Sequence, residues 1–379
     1  MATLQNLNID DTGHLTLPSG TTAQRPGSAQ EGYVRFNTTI QSVEYFDGTY
    51  WRDTDNLTTS THSGASVTEA VENGKTYTVY TFTGAGTFTI NSPSEIEYCV
   101  VAGGGGGGGW GGGGGGGGVL HGATLVAPQT YTVTVGGGGN AAGRNPGYVY
   151  GDNGGNSSIT GSGFNLTASG GGGGAPWSNN TGRTGGSGGG GSGSNSTRSG
   201  FIAGQGNAGG TGPGTTTSSP YRGHGGGGGA GEQGENGPSP RQRTIGGKGG
   251  DGRLTTIRGF PMWYGGGGGG HSPGAETTEN SYGGKGGGGG GGNYNPIDAY
   301  FGGTNTGGGG GGAYGAGANG LAASGGSGVV IVRHRKRTGI LSIPPRIPQQ
   351  GLSIHLDGSS QESYDLGKAP NTWVNLAGK

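Results

Sequence analysis

The chain has little of what an ordinary folded domain is built from. One of its 379 residues is cysteine, two are methionine, and only 27% are hydrophobic, against close to half in an average globular protein. A large conventional core is therefore excluded. The single thiol, Cys99, can neither close a bridge within the chain nor build a thiolate metal site. Charge is scarce too, at 11%, and 21 basic residues balance 21 acidic ones. That balance gives no net pull on nucleic acid or acidic membranes, and it is unlike strongly charged disorder. No run reaches the roughly 18 apolar residues of a membrane span. The segment Met1–Asn6 has neither a basic head nor an apolar run, so no signal peptide is expected and synthesis in a cytoplasm is. No segment sustains apolar residues at helical spacing.

What the chain has is glycine, 106 residues of it, about four times the ordinary share. It falls in blocks at 103–109, 111–118, 170–174, 225–229, 265–270, 286–292 and 307–312. The blocks lack the Gly-X-Y period of collagen. Four zones follow from composition: a small β module at 1–52, a Ser/Thr-rich linker at 53–67, a glycine-rich domain at 68–334, and a Pro-rich joint with mixed sequence at 335–379. Strands are expected at Tyr77–Phe82 and Thr87–Ile90, joined as a hairpin through Gly84–Gly86, and at Ile96–Val101, Thr130–Val135 and Val329–Val332.

Two readings of the glycine blocks are open. One is a flexible coil. The other is a bundle of polyproline II-like chains, three residues per turn with about 3.1 Å rise and no internal hydrogen bonds, whose amides point outward to neighbours. Ordering glycine costs on the order of 1–2 kcal/mol per residue, so the bundle requires every buried amide to be paired. Similar block lengths and flanking strands favour the bundle. A side chain in mid-block would wedge it open, so Trp110 is expected at a turn or tip.

Chemistry motifs are mostly accidents of glycine abundance. GxGxxG recurs without a βαβ frame, Gly-Lys at 247–248 and 284–285 lacks the following Ser/Thr of a P-loop, and Gly185–Gly189 lacks a strand-to-helix elbow. Gly246–Asp251 echoes a calcium β-roll repeat, but only once. The seven histidines show no ligand spacing, which points to surface or loop roles. Arg333, Arg335, Lys336 and Arg337 read as a solvated basic end. No catalytic, metal or cofactor residues are expected, and the chain does not read as an enzyme. The informative side chains lie between the blocks: Trp110, Trp177, Tyr221, Phe260, Trp263, Tyr264, Tyr294, Tyr300 and Phe301, with Arg258 beside them. Such aromatics either contact a receptor or cap the bundle and pack between subunits. Arg222, Arg241 and Arg243 would add polar grip.

The stretch Tyr80–Thr83, Gly86–Ile90, Glu97–Gly103, the first glycine block, Tyr131–Gly136 and the closing Gly325–Arg333 resembles the glycine-rich domain of bacteriophage virion proteins. Its nearest functional likeness is to tip adhesins of long tail fibres. Leu15–Gly27, Gly32–Thr39 and Val43–Trp51 look like a short joint module of phage fibres, with a hairpin turning at Asp47-Gly48. Gly351–Asp357 and Asn371–Leu376 look like the opening of a concanavalin-like jelly roll. The resemblance implies an all-β chain: an N-terminal hairpin module for virion attachment, a glycine-rich domain of short strands framing packed polyglycine II helices, and the start of a jelly-roll-like segment. It further implies a virion location on the tail fibre or particle exterior, and a homotrimer or attachment to a trimeric fibre. Other virion proteins and a host-surface glycan or outer-membrane protein are the implied partners, with no nucleic acid and no cofactor. The alternative is a purely structural capsid or tail decoration protein without receptor binding.

Overall fold

The computed structural model describes residues 17–39, 42–53, 60–91, 93–142, 149–177, 181–193, 196–213, 223–238, 245–272, 280–293, 298–313 and 321–336. The chain divides into two compact units, one ending at Leu57 and one spanning Thr58–Arg337. The first holds a four-stranded sheet of β1 (Ser19–Gly20), β2 (Val34–Asn37), β3 (Ser42–Phe46) and β4 (Trp51–Asp53), in that order, with a 3-10 turn at Thr22–Gln24. The β3–β4 hairpin turns at Asp47-Gly48, where Asp47 Oδ1 accepts hydrogen bonds from the Thr49 and Tyr50 amides. Apolar matter is scarce here, and charge fills the gap. Glu44 is fully buried, with Arg25 at 2.6 Å, Arg35 at 3.5 Å and the Asn37 amide at 2.9 Å.

The second unit opens with an eight-stranded sheet: β5 (Ser60–Glu72), β6 (Lys75–Ile90), β7 (Ser94–Val101), β8 (Val119–Val126), β9 (Gln129–Thr134), β10 (Ser157–Gly161), β11 (Phe164–Ala168) and β14 (Val329–Arg335). Its order is β11-β10-β9-β6-β14-β7-β8, with β5 on the other edge of β6. The sheet nearly closes into a barrel, and the all-β class expected from the sequence is what is seen. Phe82, Phe88, Ile90, Tyr131, Val133, Ile159, Val330 and Val332 fill one side. Val79, Cys99, Val101, Val119, Val329 and Ile331 fill the other, against Ile257 and Tyr264. Val329–Val332 is thus an unbroken apolar run because both its faces are covered. The remaining pair, β12 (Arg253–Thr255) and β13 (Met262–Tyr264), forms a separate hairpin.

Three expectations are corrected. Ser60–Val67, read as linker, is strand paired to β6; its small polar residues hide a β pattern that only the partner strand supplies. Gly84–Gly86 is no turn, since β6 runs unbroken from Lys75 to Ile90. The hairpin instead turns at Asn73-Gly74, whose φ values of 51° and 71° are both left-handed, as a type I′ turn requires. Arg333 is not solvated but buried beneath two glutamates.

From the barrel the chain passes directly into the glycine blocks, which are ordered. Each amide along a block bonds a different neighbour in turn, with a period of three. Gly103 and Gly106 donate to Gly155 and Asp152, Gly104 and Gly107 to Gly326 and Ala323, and Gly105 and Gly108 to Gly115 and Gly112. In the next block Gly112 and Gly115 donate to Ala175 and Gly172, Gly113 and Gly116 to Gly225 and Gly228, and Gly114 and Gly117 to Gly310 and Gly307. This is the threefold outward pairing of polyglycine II. Counting bonds received, 103–108 and 112–118 each touch six neighbouring runs. A central layer runs 136–142, 103–109, 111–118, 223–230, 232–238. It lies between 149–156, 169–177, 185–192, 206–213 on one side and 321–328, 307–313, 265–272, 245–252 on the other. Outside the latter lies a further layer of 298–303, 287–293 and 280–285. Neighbours run in both directions: 103–108 is antiparallel to 112–115 and parallel to 171–174.

Contact is so close that side chains have no room. A Cβ on Gly114 would sit 2.0 Å from the Gly105 carbonyl oxygen, whereas on Gly137 it would meet nothing within 4 Å. Gly114→Ala is therefore expected to destabilise the second unit by about 3 kcal/mol or more, and Gly137→Ala to be tolerated, as read from thermal melts. Amides of 103–118 should exchange slowly with deuterium. In the first unit, Glu44→Ala strands two arginines and should cost about 3–5 kcal/mol, a loss that chemical denaturation of that unit would register.

Candidate functional site

The residues expected to form one receptor surface occupy three separate places. Tyr221 and Tyr294, with Arg222, Arg241 and Arg243, lie outside the described residues. Trp110 and Trp177 lie at the end of the slab away from the barrel. Trp110 turns the chain between two antiparallel runs with φ 53°, and its amide donates to Ala313. Its ring meets Trp177 edge-on at 6.1 Å. Trp177 in turn meets His224 at 5.4 Å, and His224 stacks on His271 at 5.5 Å.

Both imidazoles are fully buried, contrary to the surface or loop role read from the sequence. Flanking glycine carries no hydrophobic signal, so nothing near them announced burial. Burial, and then the neighbouring His224, hold His271 well below the ordinary imidazole range.

Arg258, Phe260, Trp263 and Tyr264 lie at the opposite, barrel end, on the β12–β13 hairpin. Gly259 at its turn packs on Ala70 of β5, and Thr256 donates to Glu72. Arg258 lies over the Phe260 ring at 5.6 Å, and Lys285 over Trp263 at 5.1 Å. Tyr264 is corrected from loop contact to core: it is 2% exposed, packs with the Val101 cluster, and burial raises its phenol. Tyr300 and Phe301 lie on the slab's outermost layer, 60% and 72% exposed, with Tyr282 at 72% two runs away. Tyr282 was missed because a lone Tyr before a glycine pair looks like any other.

Charged groups are mostly spent within the structure. Asp251, in the calcium-like motif, accepts from Lys248 Nζ at 3.0 Å and from the Lys285 amide at 3.0 Å. Burial opposes its ionisation, yet these donors hold its carboxyl below the usual range. Arg333 Nη2 bridges Glu72 at 2.6 Å and Glu97 at 2.7 Å, and its guanidinium covers Tyr77 at 4.2 Å. Its hydrogen bond holds Glu72 below the usual range. The Cys99 thiol is buried and pushed up to about 12 by that burial, so it is not a reactive thiol at neutral pH. Among the described residues no group of three His, Cys, Asp or Glu could hold a metal ion, and no helix is long and apolar enough to cross a membrane.

The arrangement offers two exposed aromatic areas and one half-buried tryptophan pair over a stack of two buried imidazoles, on a stiff frame. The stack gives a pH prediction. His271 is neutral when folded, while the unfolded chain takes up a proton below about 6.5, so stability contributed by this site falls as pH drops beneath that value. Melting should come earlier at pH 5 than at pH 7.5, with the gap narrowed in His271→Phe; an unchanged gap in the variant would show that the stack is not the acid-sensitive element.

No curated protein matches the chain. A family model described as a glycine-rich domain matches residues 81–335, well over half the length, taking in the slab and the barrel strands from Thr81 of β6 onward. The threefold amide pairing of the blocks, β6 from Thr81 onward and all of β14 fall inside that match, and the chain belongs to this glycine-rich domain family.

Proposed function

We propose that the chain is a bacteriophage virion protein of tail-fibre or adhesin type, which attaches non-covalently to the surface of a host cell. The observation that carries this reading is the slab itself. A frame in which inner runs are hydrogen-bonded on all six sides is stiff, and it holds turn residues such as Trp110 and Trp177 at an end remote from the barrel. Binding residues are commonly set on connections that a rigid scaffold positions. In this reading the N-terminal unit joins the protein to the particle, as part of or beside a trimeric fibre. The receptor is a surface glycan or an outer-membrane protein.

A second reading, a structural decoration protein, is favoured by one specific feature: Tyr282, Tyr300 and Phe301 lie exposed on a flank of the slab, where a neighbouring subunit could cover them. Localisation in particles by cryo-electron microscopy separates the two. A position at a fibre tip supports attachment, and enclosure between shell subunits overturns it. For attachment, Trp110→Ala with Trp177→Ala should lower particle adsorption by about tenfold or more while particles still assemble; normal adsorption would remove the aromatic end from the receptor surface.

A further inference from the structure

Between the outer face of β7–β8 and the β12–β13 hairpin lies an open groove of about 470 Å³, within the ~300–1,000 Å³ usual for small-molecule sites. Its floor is Glu97, His121 and Ala123, its wall Leu254 and Ile257, and Arg333 closes one end. The Arg333 side chain is 5% exposed, and its Nε has no hydrogen-bond partner among the described residues. Its other nitrogens are committed to Glu72, Glu97 and the Ile257 carbonyl. Nε itself has no accessible surface, so the guanidinium is a fixed end wall of the groove and not a contact for a ligand.

The groove's chemistry narrows its ligand. Two guanidiniums, Arg333 and the nearby Arg253, balance Glu72 and Glu97, so the groove has no net charge that would select an anion. Both carboxylates are already engaged by Arg333, which leaves too few oxygen ligands for a hard cation. A purely apolar ligand would strip water from Glu97 and His121 without replacing it. An uncharged polyol satisfies both, because each hydroxyl both donates and accepts. Glu97 accepts, and Leu254, Ile257 and Ala123 meet the C–H face of a ring. Burial and the nearby Arg253 hold His121 below the ordinary imidazole range, so at neutral pH it offers one donor and one acceptor nitrogen.

We propose that this groove binds a neutral pyranose unit of a glycan, through Glu97 and His121 with Leu254 and Ile257 as its apolar wall. The inference deepens the attachment reading and rests on it for its biological meaning, but the groove lies at the barrel end, apart from Trp110 and Trp177.

The test is saturation-transfer NMR on the full chain with four probes: the methyl glycosides of glucose, galactose, mannose and N-acetylglucosamine. At least one should bind in the millimolar range. Ala123→Arg, at an exposed floor position, should block the groove and weaken that binding at least about tenfold, as should Leu254→Arg on the opposite wall, whose side chain is 44% exposed. Transfer from none of the four, or transfer undiminished in whichever of these variants keeps the wild-type melt, overturns the proposal. Particle adsorption is read in parallel. Adsorption that persists unchanged in variants with a blocked groove removes the groove from attachment while leaving attachment itself standing. Sugar binding by a protein localised inside the shell does the reverse.

Discussion

Pairing between bare backbones holds this protein together. Without a Cβ, extended chains approach until the atom that a side chain would add lies about 2 Å from a neighbour's carbonyl, as at Gly104, Gly107 and Gly113. At that spacing each amide finds a carbonyl in one of three directions, and the buried polar groups that forbid most loops from entering a core become the core. A net gain near 1 kcal/mol per hydrogen bond offsets the ordering of glycine only if nearly all bonds form together. The slab is therefore an all-or-none object, intolerant of side chains except at its ends and outer faces.

The barrel answers the question that amide pairing leaves open, which is register. Polyglycine has no side chains to distinguish one alignment from the next threefold step. The strands that enter and leave the slab are not so free. β7 leads into Gly103, Gly118 leads into β8, β9 leads into the 136–142 run, and Gly328 leads into β14. Each strand is pinned by apolar residues on one or both faces, with Val330 and Val332 turned to one cluster and Val329 and Ile331 to the other. What hydrophobic content the chain has is concentrated where alignment must be chosen. The buried Glu44 with its arginines shows the same economy in the N-terminal unit, where charge takes the place of missing apolar volume.

The candidate binding residues follow from this division. Glycine-bounded aromatics can only emerge at turns, at the barrel hairpin or on an outer face, so the described ones fall into three places instead of one surface. Trp110 and Trp177 stack with two buried histidines at the far end, Phe260 and Trp263 line the barrel hairpin, and Tyr282, Tyr300 and Phe301 sit on a flank. The ion network of Arg333 on β14 with Glu72 on β5 and Glu97 on β7 lies beside the β12–β13 hairpin and gives that end its polar groove.

How much was legible beforehand differs by feature. The all-β class, the strands Ile96–Val101, Thr130–Val135 and Val329–Val332, the packing of the glycine blocks and the turn at Trp110 could be read from sequence, because each rests on local composition: β-branched runs, block length, an isolated bulky residue. Strand β5, the unbroken course of β6 and the burial of His224, His271, Arg333 and Tyr264 could not. These depend on partners far away in the chain, Arg333 on Glu72 and Glu97, His224 on His271, Ser60–Val67 on the strand that follows its turn. The sequence by itself determined that backbone would pack on backbone, since nothing else was there to pack. Which run lies beside which, and so which side chains meet, was decided only by the fold, because identical glycines carry no address and the barrel strands supply it.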